Sequence, residues 1–240
     1  MKYLIAAILL YAICAQASDS YLYKVTLVQA APGKLTELID LYKARSAAFQ
    51  KAGDEAPFWM RHSQGDHWDL MLLFPIGSYS DYYRPDRVQK RSQAEDSMAT
   101  TLEKIRDDIA WQEDLFAAGP PLADLRGAFA AGSFFHVEMF EAMPGKFSDL
   151  LRERQMENAY AKALKEPENF IFVRDQGAAW SMFTIGVFRN LKHYAESADV
   201  SPKDQAAAAK AAGFEATSEI GPYLRRFIRS HHDTLAVAVK

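Results

Sequence analysis

Ala30-Ala31-Pro32-Gly33-Lys34 recurs as Ala142-Met143-Pro144-Gly145-Lys146, with 112 residues separating Pro32 from Pro144. A repeated segment comes first in any reading, because a missed repeat misassigns the whole fold. The same ungapped interval superposes Val25 on Val137, Leu38 on Leu150, Ala47 on Ala159 and Phe58 on Phe170. It continues through Gln64, Gly65 and Trp68, which fall on Gln176, Gly177 and Trp180, and reaches Tyr82 with Tyr194. The chain therefore divides into residues 18–130 and 131–240, two copies of one unit, behind a leader at 1–17.

Within a unit the hydrophobic period changes. Tyr21 to Gln29 interleaves Tyr23, Val25 and Leu27 with Lys24, Thr26 and Val28, the period of a strand. After the Pro-Gly turn, Leu35, Leu38, Ile39, Tyr42 and Phe49 recur at helical spacing until Gly53. Phe58 to His62 and Trp68 to Phe74 read as a hairpin. A second helical region is expected over 85–116. In the second copy, Ser201-Pro202 opens an alanine-rich helix that Gly213 closes, and Pro222 opens another. The last strand is placed at Thr234 to Val239, falling at the common interval on Leu122 to Gly127. The order βαββαβ is ferredoxin-like. The expected fold class is α+β: two tandem ferredoxin-like repeats whose antiparallel sheets pack into one pseudo-twofold α/β barrel, helices outside.

This order, the Pro-Gly-Lys turn and the hairpin tryptophans Trp68 and Trp180 resemble the dimeric α/β-barrel superfamily, specifically its NIPSNAP, EthD-like and antibiotic-biosynthesis-monooxygenase branches in tandem-fused form. The resemblance implies one barrel. It names no activity, since that superfamily spans cofactor-free oxygenases, haem-handling enzymes and isomerases. No catalytic set from those branches maps onto this chain.

The N-terminus joins Lys2 to an apolar run from Tyr3 to Cys14 and a small-x-small exit, Ala15-Gln16-Ala17. Those are the parts of a cleavable secretory signal, too short to span a bilayer, which takes ~20 apolar residues. A secreted or periplasmic protein with no membrane attachment after cleavage follows. Lipidation at Cys14 is the alternative, against which Ile13 stands. The single cysteine leaves with the leader, so the mature chain has no disulfide and no thiolate ligand. Loss of Lys2 takes 28 basic residues to 27, against 31 acidic ones. That balance gives no footprint for nucleic acid. Arg225, Arg226, Arg229, His231 and His232 read as a solvated helix face.

Positions that change polarity between the copies are candidates for chemistry. The face of the first strand carrying Tyr23, Val25 and Leu27, with its counterpart Phe135, Val137 and Met139, is expected to pack under helices. The other face, Lys24, Thr26 and Val28 against His136, Glu138 and Phe140, is expected to look into the barrel. His136 and Glu138 sit ~6.6 Å apart along a strand, at ~3.3 Å per residue, and are the candidate catalytic pair. A His beside a carboxylate suits proton transfer. Lys24, Thr26 and Arg61 are candidate ligand-binding residues, and a satisfied polar network of His136 and Glu138 with Lys24 or Arg61 is the alternative. Asp66-His67-Trp68-Asp69, facing Ala178-Ala179-Trp180-Ser181, is weak as a metal site, because a closed site needs about four ligands. No metal and no cofactor are expected. Tyr79, Tyr82 and Tyr83 with Arg84 either rim an opening or pack.

The expected function is an exported small-molecule-binding protein for an apolar or aromatic ligand, monomeric or weakly self-associating. Two alternatives stand beside it: a cofactor-free monooxygenase or isomerase with His136 as base, and a structural or partner-binding protein with a filled barrel.

Overall fold

The computed structural model describes residues 21–239. The expected signal and its lipidation alternative lie outside the described residues. Among the described residues, no helix is long and apolar enough to cross a membrane.

The chain runs β1 (Tyr21–Ala30), α1 (Leu35–Lys51), β2 (Phe58–Gln64), β3 (Leu70–Gly77), α2 (Tyr79–Tyr82), α3 (Pro85–Ser97), α4 (Ala99–Asp107) and β4 (Ile109–Gly119). It then enters α5 (Leu122–Ala131), β5 (Phe134–Ala142), α6 (Phe147–Ala163), β6 (Phe170–Gly177), β7 (Met182–Phe188), α7 (Leu191–Ala195), α8 (Pro202–Ala212), α9 (Ile220–Leu224) and β8 (Ile228–Ala238). The eight strands form one antiparallel sheet that closes on itself in the order β1-β3-β2-β8-β5-β7-β6-β4. The seams between the halves are the β2–β8 and β4–β6 pairs.

Local chemistry sets the boundaries. Ser201 accepts the Asp204 N–H at the start of α8, Pro202 occupies the first turn, and Gly213 ends the helix at φ +98°. Gly65 and Gly177, at φ +123° and +77°, sit where a Cβ would fall 2.1 Å from the Asp233 carbonyl oxygen and 2.5 Å from that of Asp114. Only glycine lets the hairpin ends approach the neighbouring strand that closely.

Two expectations need correction. Ile109–Gly119 is a strand, so the helical region stops at Asp107, and Leu122–Ala131 is a helix rather than the last strand of the first half. The matching strand in the second half is Ile228–Ala238. From Ile109 to Ile228 is 119 residues, because the second connection is seven residues longer.

The second correction concerns the faces. Tyr23, Val25 and Leu27 join Phe135, Val137 and Met139 in one buried cluster with Met60, Met71, Leu73, Leu115, Ala117, Phe172, Phe183, Ile185 and Ala236. Every strand contributes, so this cluster is the barrel interior. Eight strands leave an interior just wide enough for side chains to fill. An unsatisfied polar group there would cost several kcal/mol. Val28 packs instead against Leu38 and Tyr42 of α1 and Ile105 of α4, and Phe140 against Leu150 of α6 and Leu224 of α9. The face carrying Lys24, Thr26, His136 and Glu138 therefore lies outside the barrel, beneath the helices. Trp68 is fully buried in the interior cluster, as core packing requires.

Candidate functional site

Where the helices part over β5 and β7, they leave a cleft of about 390 Å³. His136 lines it, as do Glu157 and Tyr160 of α6, Asn169, Phe188, and Tyr194 of α7. His136 thus meets a cavity from outside the barrel. A shallower opening on its other side is lined by Gln64, Asp233 and Thr234, with His136 and Tyr194 common to both.

The sheet register builds the polar centre. Glu138 stands opposite Thr184 on one side and Asp233 on the other. His136 Nε2 is 3.4 Å from Asp233 Oδ1, and His231 Nε2 is 3.0 Å from Asp233 Oδ2. Hydrogen bonds from these two imidazoles hold the Asp233 carboxyl well below the usual carboxylate range, against the effect of its own partial burial. A carboxylate only accepts, so in this contact the imidazole of His136 donates from Nε2. The Tyr194 ring centroid is 5.5 Å from that of His136.

Glu138 is placed differently from its expected role. It does not line the cleft; it lies behind it, accepting from Thr184 Oγ1 at 2.9 Å and from Arg154 Nη1 at 3.4 Å. Arg154, only 2 % exposed, also donates to Glu153 at 2.6 Å and to Glu157 at 2.7 Å, and its guanidinium lies 4.6 Å from the Phe140 ring centre. Three carboxylates share one guanidinium in a buried place, and they cannot all be ionised cheaply. Burial pushes the Glu157 pKa up to about 8, with Glu153 and Glu138 adding to the rise and Arg154 opposing it. Burial therefore favours the protonated form of the Glu157 carboxyl at the edge of the cleft.

The remaining expected site residues do not reach this cleft. Lys24 lies in the first half, 3.5 Å from Asp114. Thr26 donates to Asp114 and is buried. Arg61 is exposed on β2 and lines neither opening beside His136. The polar partners of His136 and Glu138 are Asp233 and Arg154 in place of Lys24 or Arg61. Asp233 escaped the sequence reading because the last strand was started one residue after it. Arg154 did carry a signal: with Leu150 and Glu153 it is one of the buried residues of α6, where a charge needs a partner. At the hairpin turn, the Asp66 side chain is 4 % exposed and lies 2.7 Å from His67 and 2.9 Å from His232. His231 and His232 lie on β8, not on a helix face.

Among the described residues, His136, Glu138 and Asp233 each bring one ligand atom within 4.8 Å of the others, a set able to hold a metal ion. The oxygens of Glu138 are already engaged by Arg154 and Thr184.

No protein-family model matches the chain, and no curated protein matches it in sequence. Solved structures share its fold. An anthrone oxidase-like protein superposes with a TM-score of 0.57 at 13 % identity, covering 93 % of both chains. A provisionally assigned monooxygenase of Fusobacterium nucleatum subsp. nucleatum gives 0.56 at 8 % identity, covering 93 % of this chain and 94 % of its own. Chlorite dismutase of Candidatus Nitrospira defluvii in complex with imidazole gives 0.51 at 10 % identity, over 93 % of each. These likenesses establish a ferredoxin-like α+β fold. Nothing in them singles out the NIPSNAP branch.

Proposed function

We propose that the cleft at His136 binds a small, largely apolar molecule with an acidic C–H and oxidises it with molecular oxygen, without a cofactor. The observation that carries this is the meeting, in one cleft, of an imidazole set against Asp233 and the carboxyl of Glu157, whose protonated form burial favours. Environments that set two titratable groups apart mark an acid and a base. Tyr160, Leu164, Phe188, Tyr194, Val200 and Ile220 give the cleft an apolar, aromatic wall.

His136 Nδ1 takes a proton from a methylene carbon flanked by activating groups, and the carbanion reduces oxygen and bonds to it. Protonation of the peroxide by the imidazolium restores the base. Removal of the second C–H proton by His136 then breaks the O–O bond, the carbon becomes a carbonyl, and hydroxide leaves as water with the proton of Glu157. Exchange through solvent returns a proton from His136 to Glu157. In sum, one methylene and one molecule of oxygen become one carbonyl and one water. Glu138 acts as a positioning residue: through Arg154 it keeps Glu157 in place and helps raise its pKa. The likeness in fold to an anthrone oxidase-like protein and a provisionally assigned monooxygenase supports this reading.

We also read the chain as a tandem fusion of two ferredoxin-like units, exported after removal of residues 1–17 and monomeric, since each half supplies the other's sheet edges. The barrel interior is filled, so the ligand sits outside it.

The test is oxygen consumption with anthrone as probe. Wild type should consume one oxygen per anthrone, resist chelators, and lose about 10²-fold or more of kcat in His136→Ala with anthrone affinity nearly unchanged. Binding without oxygen uptake would replace this reading with a carrier. Loss on chelation would favour a metal at His136 and Asp233.

A further inference from the structure

The first half carries a cavity of its own at the corresponding place, about 160 Å³ in size, between β1, β3, α1 and α3. Its chemistry is inverted. Lys24 stands where the second half has His136, and Arg45 where it has Glu157, each 112 residues earlier. We propose that this cavity is a second small-molecule site, specific for a compact carboxylic acid held by Arg45, with its apolar body against Phe49, Phe74 and Ile76 and with Lys24, already 3.5 Å from Asp114, at its edge.

The charge accounting points to a monoanion. Asp54 is taken by Arg87 at 2.8 Å and Arg91 at 3.3 Å, Glu55 by Arg126 at 2.5 Å, and Glu95 is exposed at the rim. Arg91 is fixed further, donating to the Tyr82 carbonyl and lying 4.1 Å from the Tyr82 ring centre. Among the described residues, Arg45 forms no ion pair with a carboxylate. Its guanidinium rests 5.0 Å from the Phe49 ring centre, and its buried Nε, like that of Arg87, has no acceptor. A buried donor left unmade costs about 1–3 kcal/mol, which an anionic ligand would recover. Guanidinium suits a carboxylate because its fork matches the two oxygens. The volume is near the ~150 Å³ that accommodates one benzene ring, and the aromatic wall favours an acid built on a single ring over a bare oxyanion.

The proposal does not depend on the chemistry at His136, and the experiment separates them. Benzoate and inorganic phosphate are titrated calorimetrically into the wild-type chain, Arg45→Gln, Arg45→Lys and His136→Ala. Benzoate is expected to bind wild type and His136→Ala at one site and to raise the melting temperature of both. Arg45→Gln should weaken it by about 10-fold or more, and Arg45→Lys, which keeps the charge without the fork, by less. Unchanged unfolding of the ligand-free variants would separate this from a structural role for Arg45. The proposal fails if benzoate shows no saturable binding, if phosphate binds more tightly than benzoate, or if binding is lost in His136→Ala and kept in Arg45→Gln.

Discussion

His136 Nε2 lies 3.4 Å from Asp233 Oδ1 across the β5–β8 pair, on the sheet's outer face, while the other oxygen of Asp233 receives His231. Because the folded-state pKa of Asp233 is depressed, its contribution to stability is present above the ordinary carboxylate value of about 3.9 and is lost as pH falls below it. The stability gap between wild type and Asp233→Asn, read from urea unfolding at a series of pH values, should be largest above about pH 4 and close in acid. A gap that is flat with pH would show that the imidazoles do not hold the carboxylate.

Glu157 behaves in the opposite sense. A carboxyl whose pKa is raised to about 8 makes the folded state bind the extra proton, so stability should fall as pH rises from about 4.5 through about 8. Glu157→Gln, which is neutral throughout, should flatten that slope and remove the alkaline limb of the oxidation rate. An unchanged slope would place the extra proton elsewhere in the cluster.

Among the described residues, Arg154 is the one cation paired with Glu153, Glu157 and Glu138. Arg154→Met should cost about 3–5 kcal/mol in chemical unfolding, because it leaves charges buried without their partner. Adding Glu153→Gln to that variant should restore part of the loss. A cost near that of an exposed ion pair, about 1 kcal/mol or less, would mean the cluster is hydrated.

Gly65 and Gly177 repeat one device at the two seams, each at positive φ against the backbone of the neighbouring strand. Gly65→Ala and Gly177→Ala should each destabilise by about 1–3 kcal/mol or more, whereas Gly33→Ala, with open space around it, should cost less. Equal costs at the three positions would reduce the effect to dihedral strain alone.

Much of this fold was legible in the chain. The helix caps Ser201 and Gly213, the hairpins and the βαββ order of each half follow from local chemistry. Ile109–Gly119 was lost because a constant interval was assumed across connections of unequal length. It does alternate, with Ile109, Trp111, Leu115 and Ala117 against Gln112 and Asp114. The inversion of the faces has a different cause. β1 and β5 are covered on both sides, by the barrel interior and by helices, so alternation reveals two faces without saying which is which. The discriminating sign was uniformity. Tyr23, Val25 and Leu27 have apolar counterparts throughout, as a closed interior demands, whereas Lys24, Thr26, His136 and Glu138 need partners that only the helix side supplies. The partners themselves, Arg154 and Asp233, come from elements distant in sequence, and no spacing rule predicts such pairings.

The placement of His136 outside the barrel can be tested by chemistry on a chain that begins at Ser18 and has no cysteine of its own. His136→Cys and Val137→Cys are to be treated with a thiol reagent under native conditions. Position 136, with a side chain 20 % exposed, should label, and position 137, fully buried in the interior, should label only on unfolding. Native labelling of the Val137→Cys variant with protection of the His136→Cys variant would return the histidine to the barrel and remove the cleft from this account.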